Sequence, residues 1–212
     1  MNMTKITCIG DSIRIQYTPR VREMLGEGFE VYAPTENCRY SKFTLRGLYD
    51  WKADMSGSRI VHWNNGLWDV CELFGDGPFA TVEEYVTNML RVADILLSRH
   101  EAVIFATTTP VSPLNPHTKN EEVKRYNDAL VPRLIERGVI INDLHSLVVA
   151  DLGRYISSDK THLTPEGIEM CARATTDAIL AAYKSLPATK AENTPDHFDD
   201  TGVPIEFTDG KK

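Results

Sequence analysis

The chain has 212 residues, 42% of them hydrophobic and 25% charged, with a formal net charge of −7. That length fits one domain able to bury a full core, and the composition is that of a globular protein. The acidic balance excludes a nucleic-acid surface, which needs a basic patch, and no apolar run approaches the ~20 residues of a membrane span.

Taken in chain order, the first strand is Ile6–Ile9, and it stops abruptly at Gly10-Asp11-Ser12. No apolar leader core with a small-residue cleavage site precedes it, so a cytoplasmic location is expected. Thr18-Pro19 followed by RVREMLGEG predicts a helix with proline in its first turn and glycines at its end. Phe29–Tyr32 reads as a second strand, Ser41–Asp54 as a helix and Arg59–Trp63 as a third strand. Thr81 and Glu84 form a capping box. The helix it opens places Val82, Tyr85, Val86, Met89, Ala93, Leu96 and Leu97 on one face. Ala102–Thr107 is a fourth strand, Asn120–Arg137 a helix kinked at Pro132, and Val139–Asn142 a fifth strand. Thr164-Pro165 caps a last long helix reaching about Leu186. From Pro187 the chain turns polar and periodicity stops, which divides it into a folded domain (1–186) and a tail (187–212).

Strands alternating with helices predict an α/β fold, a parallel sheet covered on both faces. Such sheets place their sites at the carboxyl ends of the strands. The polar residues collect on that edge: Gly10-Asp11-Ser12, Asn37, Asn64-Asn65, Thr107–Thr109, and the segment leading to Asp159 and His162. The four cysteines (Cys8, Cys38, Cys71 and Cys171) are widely spaced, with no C-x-x-C pair. Reduced, mostly buried thiols are expected, and no metal framework.

A serine hydroxyl needs a base within reach, and that base needs a third group to orient it. The segment SSDKTHLTPEG carries Asp159 and His162 three residues apart, just before a capped helix. Residues so spaced on a tight turn lie on one side. The carboxylate is then placed to accept from imidazole Nδ1–H, leaving Nε2 to take a proton from Ser12.

GDS at the end of the first strand, with DxxHLTxxG near the C-terminus, resembles the SGNH (GDSL-type) hydrolase superfamily over Lys5 to about Leu186. The resemblance implies a flavodoxin-like three-layer sandwich around a five-stranded parallel sheet. It implies Ser12 as nucleophile, Asp159 as orienter and His162 as general base and then acid. It also implies an oxyanion hole from the Ser12 N–H, a second-block N–H and a third-block asparagine. The second block starts at Asn37, and the position five residues on is Lys42, where the family has glycine. The third block, usually G-x-N-D, is HWNNGLWD here. Trp68 stands where asparagine is aligned, and of Asn64 and Asn65 just ahead, Asn65 is preferred as donor. The resemblance implies esterase, thioesterase, lipase-like or carbohydrate-deacetylating activity, with no cofactor or metal needed. A compact chain without a lid insertion, and aromatic and polar residues at the expected mouth, favour short-chain or acetyl esters, including O-acetylated carbohydrate.

Around this centre, Asp11, Arg14, Asn37, Arg39, Asn64 and Trp68 are candidate substrate contacts. The two arginines suit an anionic group, and Trp68 suits a sugar ring. His62 reads as a hydrogen-bonded structural residue and His117 as a loop residue. GDGPFA (75–80) imitates a dinucleotide fingerprint, but it follows a loop and contains Pro78, so it reads as a loop. Neither a phosphate loop nor a G-x-S-x-G elbow occurs. The different reading is a non-catalytic glycan- or peptide-binding module on the same scaffold. Partners other than a small-molecule or carbohydrate ester are not indicated, with neither nucleic acid nor membrane expected. Assembly into a homo-oligomer stays open.

Overall fold

The computed structural model describes residues 3–187. The segment read as a polar tail lies outside the described residues from position 188 onward. Five parallel strands form one sheet: β1 (Thr4–Ile9), β2 (Phe29–Tyr32), β3 (Ile60–Trp63), β4 (Ala102–Ala106) and β5 (Ile140–Asn142), in the order β2-β1-β3-β4-β5. β3 and β4 are buried along their whole length, as expected of a parallel sheet covered on both faces. One cover is made by α1 (Ser12–Leu25) and α8 (Pro165–Ser185). The other contains α2 (Ser41–Asp50), α4 (Val82–Arg99) and α5 (Asn120–Ile135), with α4 packed between its neighbours.

The strand order reverses direction at β1. The chain leaves β1 for β2 on one side and later returns to place β3 on the other. In register, Ile9 lies beside Trp63. The residues that follow them, Gly10-Asp11-Ser12 and Asn64-Asn65, therefore meet at the switch point, where open α/β sheets bind their ligands.

Three local expectations change. The first helix starts at Ser12 rather than near Pro19. The Asp11 carboxylate accepts from the Ile13 N–H at 2.9 Å and caps the helix seven residues earlier than the proline implies. Pro19 sits inside it, and the Ile15 carbonyl it leaves free belongs to an exposed turn. The helix expected over Ser41–Asp54 breaks at Trp51, whose indole packs where a Cβ on Gly47 would lie 2.2 Å away. Its remainder is the short α3 (Lys52–Met55). Between β5 and α8 the chain forms two short helices, α6 (Leu144–Val149) and α7 (Leu152–Tyr155), that no periodicity marks. The capping box is present as read, with Thr81 and Glu84 bonding each other's backbone N–H.

The opposite edge of the sheet is fastened by Arg59, just before β3. Its guanidinium grips both oxygens of Glu101 at 2.7 Å and donates to the Pro187 carbonyl at 2.7 Å. All four cysteines are free thiols, and three of them are buried.

Candidate active site

Ser12 is the first residue of α1, so its N–H has no carbonyl behind it in the helix, and the helix's positive end lies there. The approach to Ser12 is tight. Gly10 has φ +152°, and a Cβ on it would lie 1.9 Å from Asn64 Oδ1. Only glycine lets β3's end close on β1's end at this point.

The partner loop is folded by its own hydrogen bonds. Ser157 N–H donates to the His162 carbonyl at 2.7 Å, and Lys160 takes φ +74° at the turn. Inside this turn Asp159 Oδ1 accepts from the His162 N–H (2.8 Å), the Thr161 N–H (2.9 Å) and the Ser157 hydroxyl (2.9 Å). Asp159 Oδ2 lies 2.7 Å from His162 Nδ1, and His162 Nε2 lies 2.8 Å from Ser12 Oγ. An ionised carboxylate only accepts, so Nδ1 carries the proton and Nε2 faces the serine as acceptor. Desolvation alone would raise the Asp159 pKa, but the hydrogen bonds from His162, Thr161 and Ser157 outweigh it. They hold the pKa well below the usual carboxylate range. Asp159 thus stays charged at neutral pH, although its side chain is 51% exposed.

Gln16, one turn after Ser12, was not singled out in the sequence. Its amide is committed at both ends to the residue after the histidine. Oε1 accepts from the Leu163 N–H at 3.0 Å, and Nε2 donates to the Leu163 carbonyl at 3.4 Å. The helix that carries the serine thus holds the loop that carries the base. Gln16→Ala is expected to lower kcat on p-nitrophenyl acetate about tenfold with KM within about twofold, since misplacing a proton acceptor by an ångström costs that much or more. Gln16→Glu, which keeps the acceptor, should recover part of it. A purely structural glutamine would shift the melting temperature and leave kcat of the folded enzyme unchanged.

The remaining predicted contacts separate sharply. Asp11 is fully buried; besides capping α1 it accepts from Asn64 Nδ2 at 2.8 Å. Burial raises its pKa, offset in part by the Asn64 and Ile13 N–H groups and by the charges of Arg14 and His162. Asp11 supports the serine turn and does not face a ligand. Arg14, expected at an anionic substrate group, is 3% exposed and turned inward. It donates to the carbonyls of Pro34, Gly10 and Glu36 at 2.9–3.2 Å, and so ties the β2–α2 loop to α1. Asn65, the preferred oxyanion donor, is fully buried. Its Nδ2 donates to the Arg39 carbonyl at 2.8 Å, and its Oδ1 accepts from Trp63 Nε1 at 3.1 Å. Asn64 is the asparagine that reaches the Ser12 turn. Lys42 is the second residue of α2 and lines a groove with Tyr40 and Phe79.

Asn37 and Arg39 stay at the edge. Asn37 Oδ1 accepts from the Arg39 N–H at 2.8 Å, which fixes Arg39 at φ +49°. The exposed Arg39 guanidinium stacks on Phe43 at 5.2 Å. Trp68 is half-buried in the turn after β3. His62 lies in the core with Nε2 3.0 Å from Asn142, and burial lowers its pKa to about 3. His117 sits in a loop beside the Glu72 carbonyl.

Asp69, the acid of the third block, is fully buried and accepts from Ser41, the first residue of α2, through both N–H and hydroxyl. Burial is the largest influence and pushes its pKa up to about 7, against the lowering effect of the Ser41 bonds. A carboxyl whose pKa rises on folding stabilises most below its unfolded value near 4 and loses that contribution as pH rises to about 7. The wild-type stability advantage over Asp69→Asn should therefore shrink between pH 4 and 7, by at most roughly 1.4 kcal/mol per pH unit. Above pH 7 it should be constant. Urea midpoints across that range test it, and a pH-independent difference contradicts it.

No family model matches the chain, and no curated protein matches it in sequence. Solved structures do match in fold. A lipase/acylhydrolase from Enterococcus faecalis superposes with a TM-score of 0.72 at 16% identity, over 89% of this chain and 100% of that one. An acetyl xylan esterase gives 0.70 at 17% identity, over 82% and 99%. A catalytic mutant of an acetylxylan esterase from Geobacillus stearothermophilus gives 0.70 at 15% identity, over 91% and 99%. Among the described residues no helix is long and apolar enough to cross a membrane. With its five parallel strands in flavodoxin-like order, the chain has the fold of the SGNH (GDSL-type) hydrolase superfamily.

Proposed function

We propose that the chain is a serine ester hydrolase of the SGNH type, acting through an acyl-enzyme on small acyl esters, foremost acetyl groups on carbohydrate. One observation carries the reading: Ser12 Oγ, His162 and Asp159 form a continuous hydrogen-bonded line at 2.8 and 2.7 Å, at the switch point of the sheet. The acetylxylan esterases among the structural neighbours support the acyl group.

In this mechanism Ser12 Oγ attacks the ester carbonyl carbon and its proton passes to His162 Nε2. The developing oxyanion is held by the Ser12 N–H at the helix terminus, with the Asn64 Nδ2 hydrogen that is not given to Asp11 as the second donor. Each such donor contributes about 3 kcal/mol to the barrier. His162 returns the proton to the departing alcohol as the C–O bond breaks. A water then attacks the acyl-serine, again giving its proton to His162, and the carboxylic acid leaves. Asp159 keeps the imidazole in the needed tautomer and stabilises the imidazolium.

Treatment with a fluorophosphonate, followed by peptide mass spectrometry, tests the reading. The adduct is expected on Ser12 and absent from Ser12→Ala. Wild-type protein that stays unlabelled, and hydrolyses none of p-nitrophenyl acetate, butyrate and octanoate, would favour a non-catalytic binding module.

A further inference from the structure

The sheet edge that carries Ser12 also carries an open groove of about 520 Å³ beside the start of α2. Its walls come from three stretches of chain. Tyr40 and Lys42 stand at the start of α2, Phe79 in the β3–α4 loop, and Glu83, Thr87 and Asn88 on the first turns of α4. The Tyr40 and Phe79 rings lie 6.2 Å apart at 35°, and Phe79 is 47% exposed. The groove is joined to the serine by a single loop. The Cys38 N–H donates to the Gly10 carbonyl at 3.0 Å, two residues before Ser12, and Tyr40 follows Cys38 by two residues.

The lining selects among ligands. An acyl chain would lie against the Lys42 ammonium and the carboxylates of Glu83 and Glu84, and desolvating those charges costs more than the chain gains. An anion would meet Glu83 in the wall and a net charge of −7 overall. A neutral polyol meets neither objection. Its C–H faces can lie on the two rings, and its hydroxyls can both donate to Glu83 and accept from Lys42, Thr87 and Asn88.

We infer that this groove is a carbohydrate subsite, holding neutral sugar units beyond the one whose acyl ester reaches Ser12. The inference rests on the esterase reading for its connection to turnover, but the binding it proposes can be measured without turnover.

Two measurements test it. The first compares p-nitrophenyl acetate with O-acetylated xylotriose as substrates of wild type, Phe79→Ala and Tyr40→Ala. Losing a ring platform should raise KM for the trisaccharide about tenfold, the equivalent of ~1.4 kcal/mol. Hydrolysis of p-nitrophenyl acetate should stay within about twofold. The second titrates Ser12→Ala with unacetylated xylotriose, cellotriose and maltotriose by ligand-observed NMR. Binding to Ser12→Ala that disappears in Ser12→Ala/Phe79→Ala supports the subsite even if wild type proves inactive on every ester, so the two readings fail separately. Equal effects of Phe79→Ala on both substrates would overturn it, as would no binding of any trisaccharide. So would a wild-type preference for p-nitrophenyl octanoate that Phe79→Ala abolishes, because it would make the groove an acyl site.

Discussion

Ser12→Ala is expected to lower kcat for p-nitrophenyl acetate by about 10⁴-fold or more, with KM little changed, and His162→Ala by a similar factor. The two side chains act as one unit, joined by a 2.8 Å contact between Oγ and Nε2. The double variant should therefore be no slower than either single one, whereas independent contributions would multiply. Asp159→Asn should cost about as much, roughly 10⁴-fold. With its oxygen still accepting the Thr161 and His162 N–H groups that shape the turn, its amide nitrogen takes the place of Oδ2 and donates to Nδ1. The imidazole proton then sits on Nε2, which can no longer accept from Ser12. Activity retained by Ser12→Ala would remove the nucleophile assignment outright. A double variant much slower than both singles would show that serine and histidine act in different steps.

Gly10→Ala is expected to be the most damaging substitution outside those three side chains. The added methyl group would meet Asn64 Oδ1 at 1.9 Å and Asn64 Cγ at 2.9 Å, on a backbone with φ +152°. Strained backbone and overpacking together imply a stability loss of about 2–4 kcal/mol. The activity loss should exceed the stability loss in kind. Displacing Asn64 also releases Asp11, and with it the cap of the helix that presents Ser12. An activity decrease of about 100-fold in the still-folded fraction follows from that geometry. Gly75→Ala is the control. Its φ is +74°, with nothing within 4 Å of the added carbon. It should cost only the backbone term of about 1–2 kcal/mol and leave kcat unchanged. Equal kinetic behaviour of the two variants would show that the Gly10–Asn64 approach does not position the serine.

The parts of this site that are legible in the sequence share one property: they are local. GDS ends a strand, Asp159 and His162 lie within one turn, and Thr81 with Glu84 closes a capping box, each within a few residues. The sheet follows from alternating periodicity, and its carboxyl edge gathers the strand-end residues. What the sequence hides is commitment across the fold. Nothing in the string NN tells that Asn64 reaches back 53 residues to Asp11 while Asn65 reaches back 26 residues to Arg39. Arg14 looks like a free cation two residues after the serine until the carbonyls of Pro34 and Glu36 converge on it. Gln16 is an ordinary helical glutamine until Leu163 arrives from 147 residues away. The helix start shows a different failure. Two valid signals compete, an aspartate cap and a first-turn proline, and the cap prevails because Pro19 falls where the helix faces solvent.

The fastening of Pro187 to Arg59 bears on how the protein can be immobilised. Arg59 precedes β3, and Ser12 follows β1, the strand beside it, so the two lie at opposite ends of neighbouring parallel strands. With β3 four residues long and a rise of about 3.3 Å per residue, roughly 13 Å of sheet separates those ends. A bead, an electrode or a fused partner attached to a chain shortened to end at Pro187 would therefore start from the edge facing away from the serine. Orientation on a support then comes from the sheet itself, with the substrate side turned to solution.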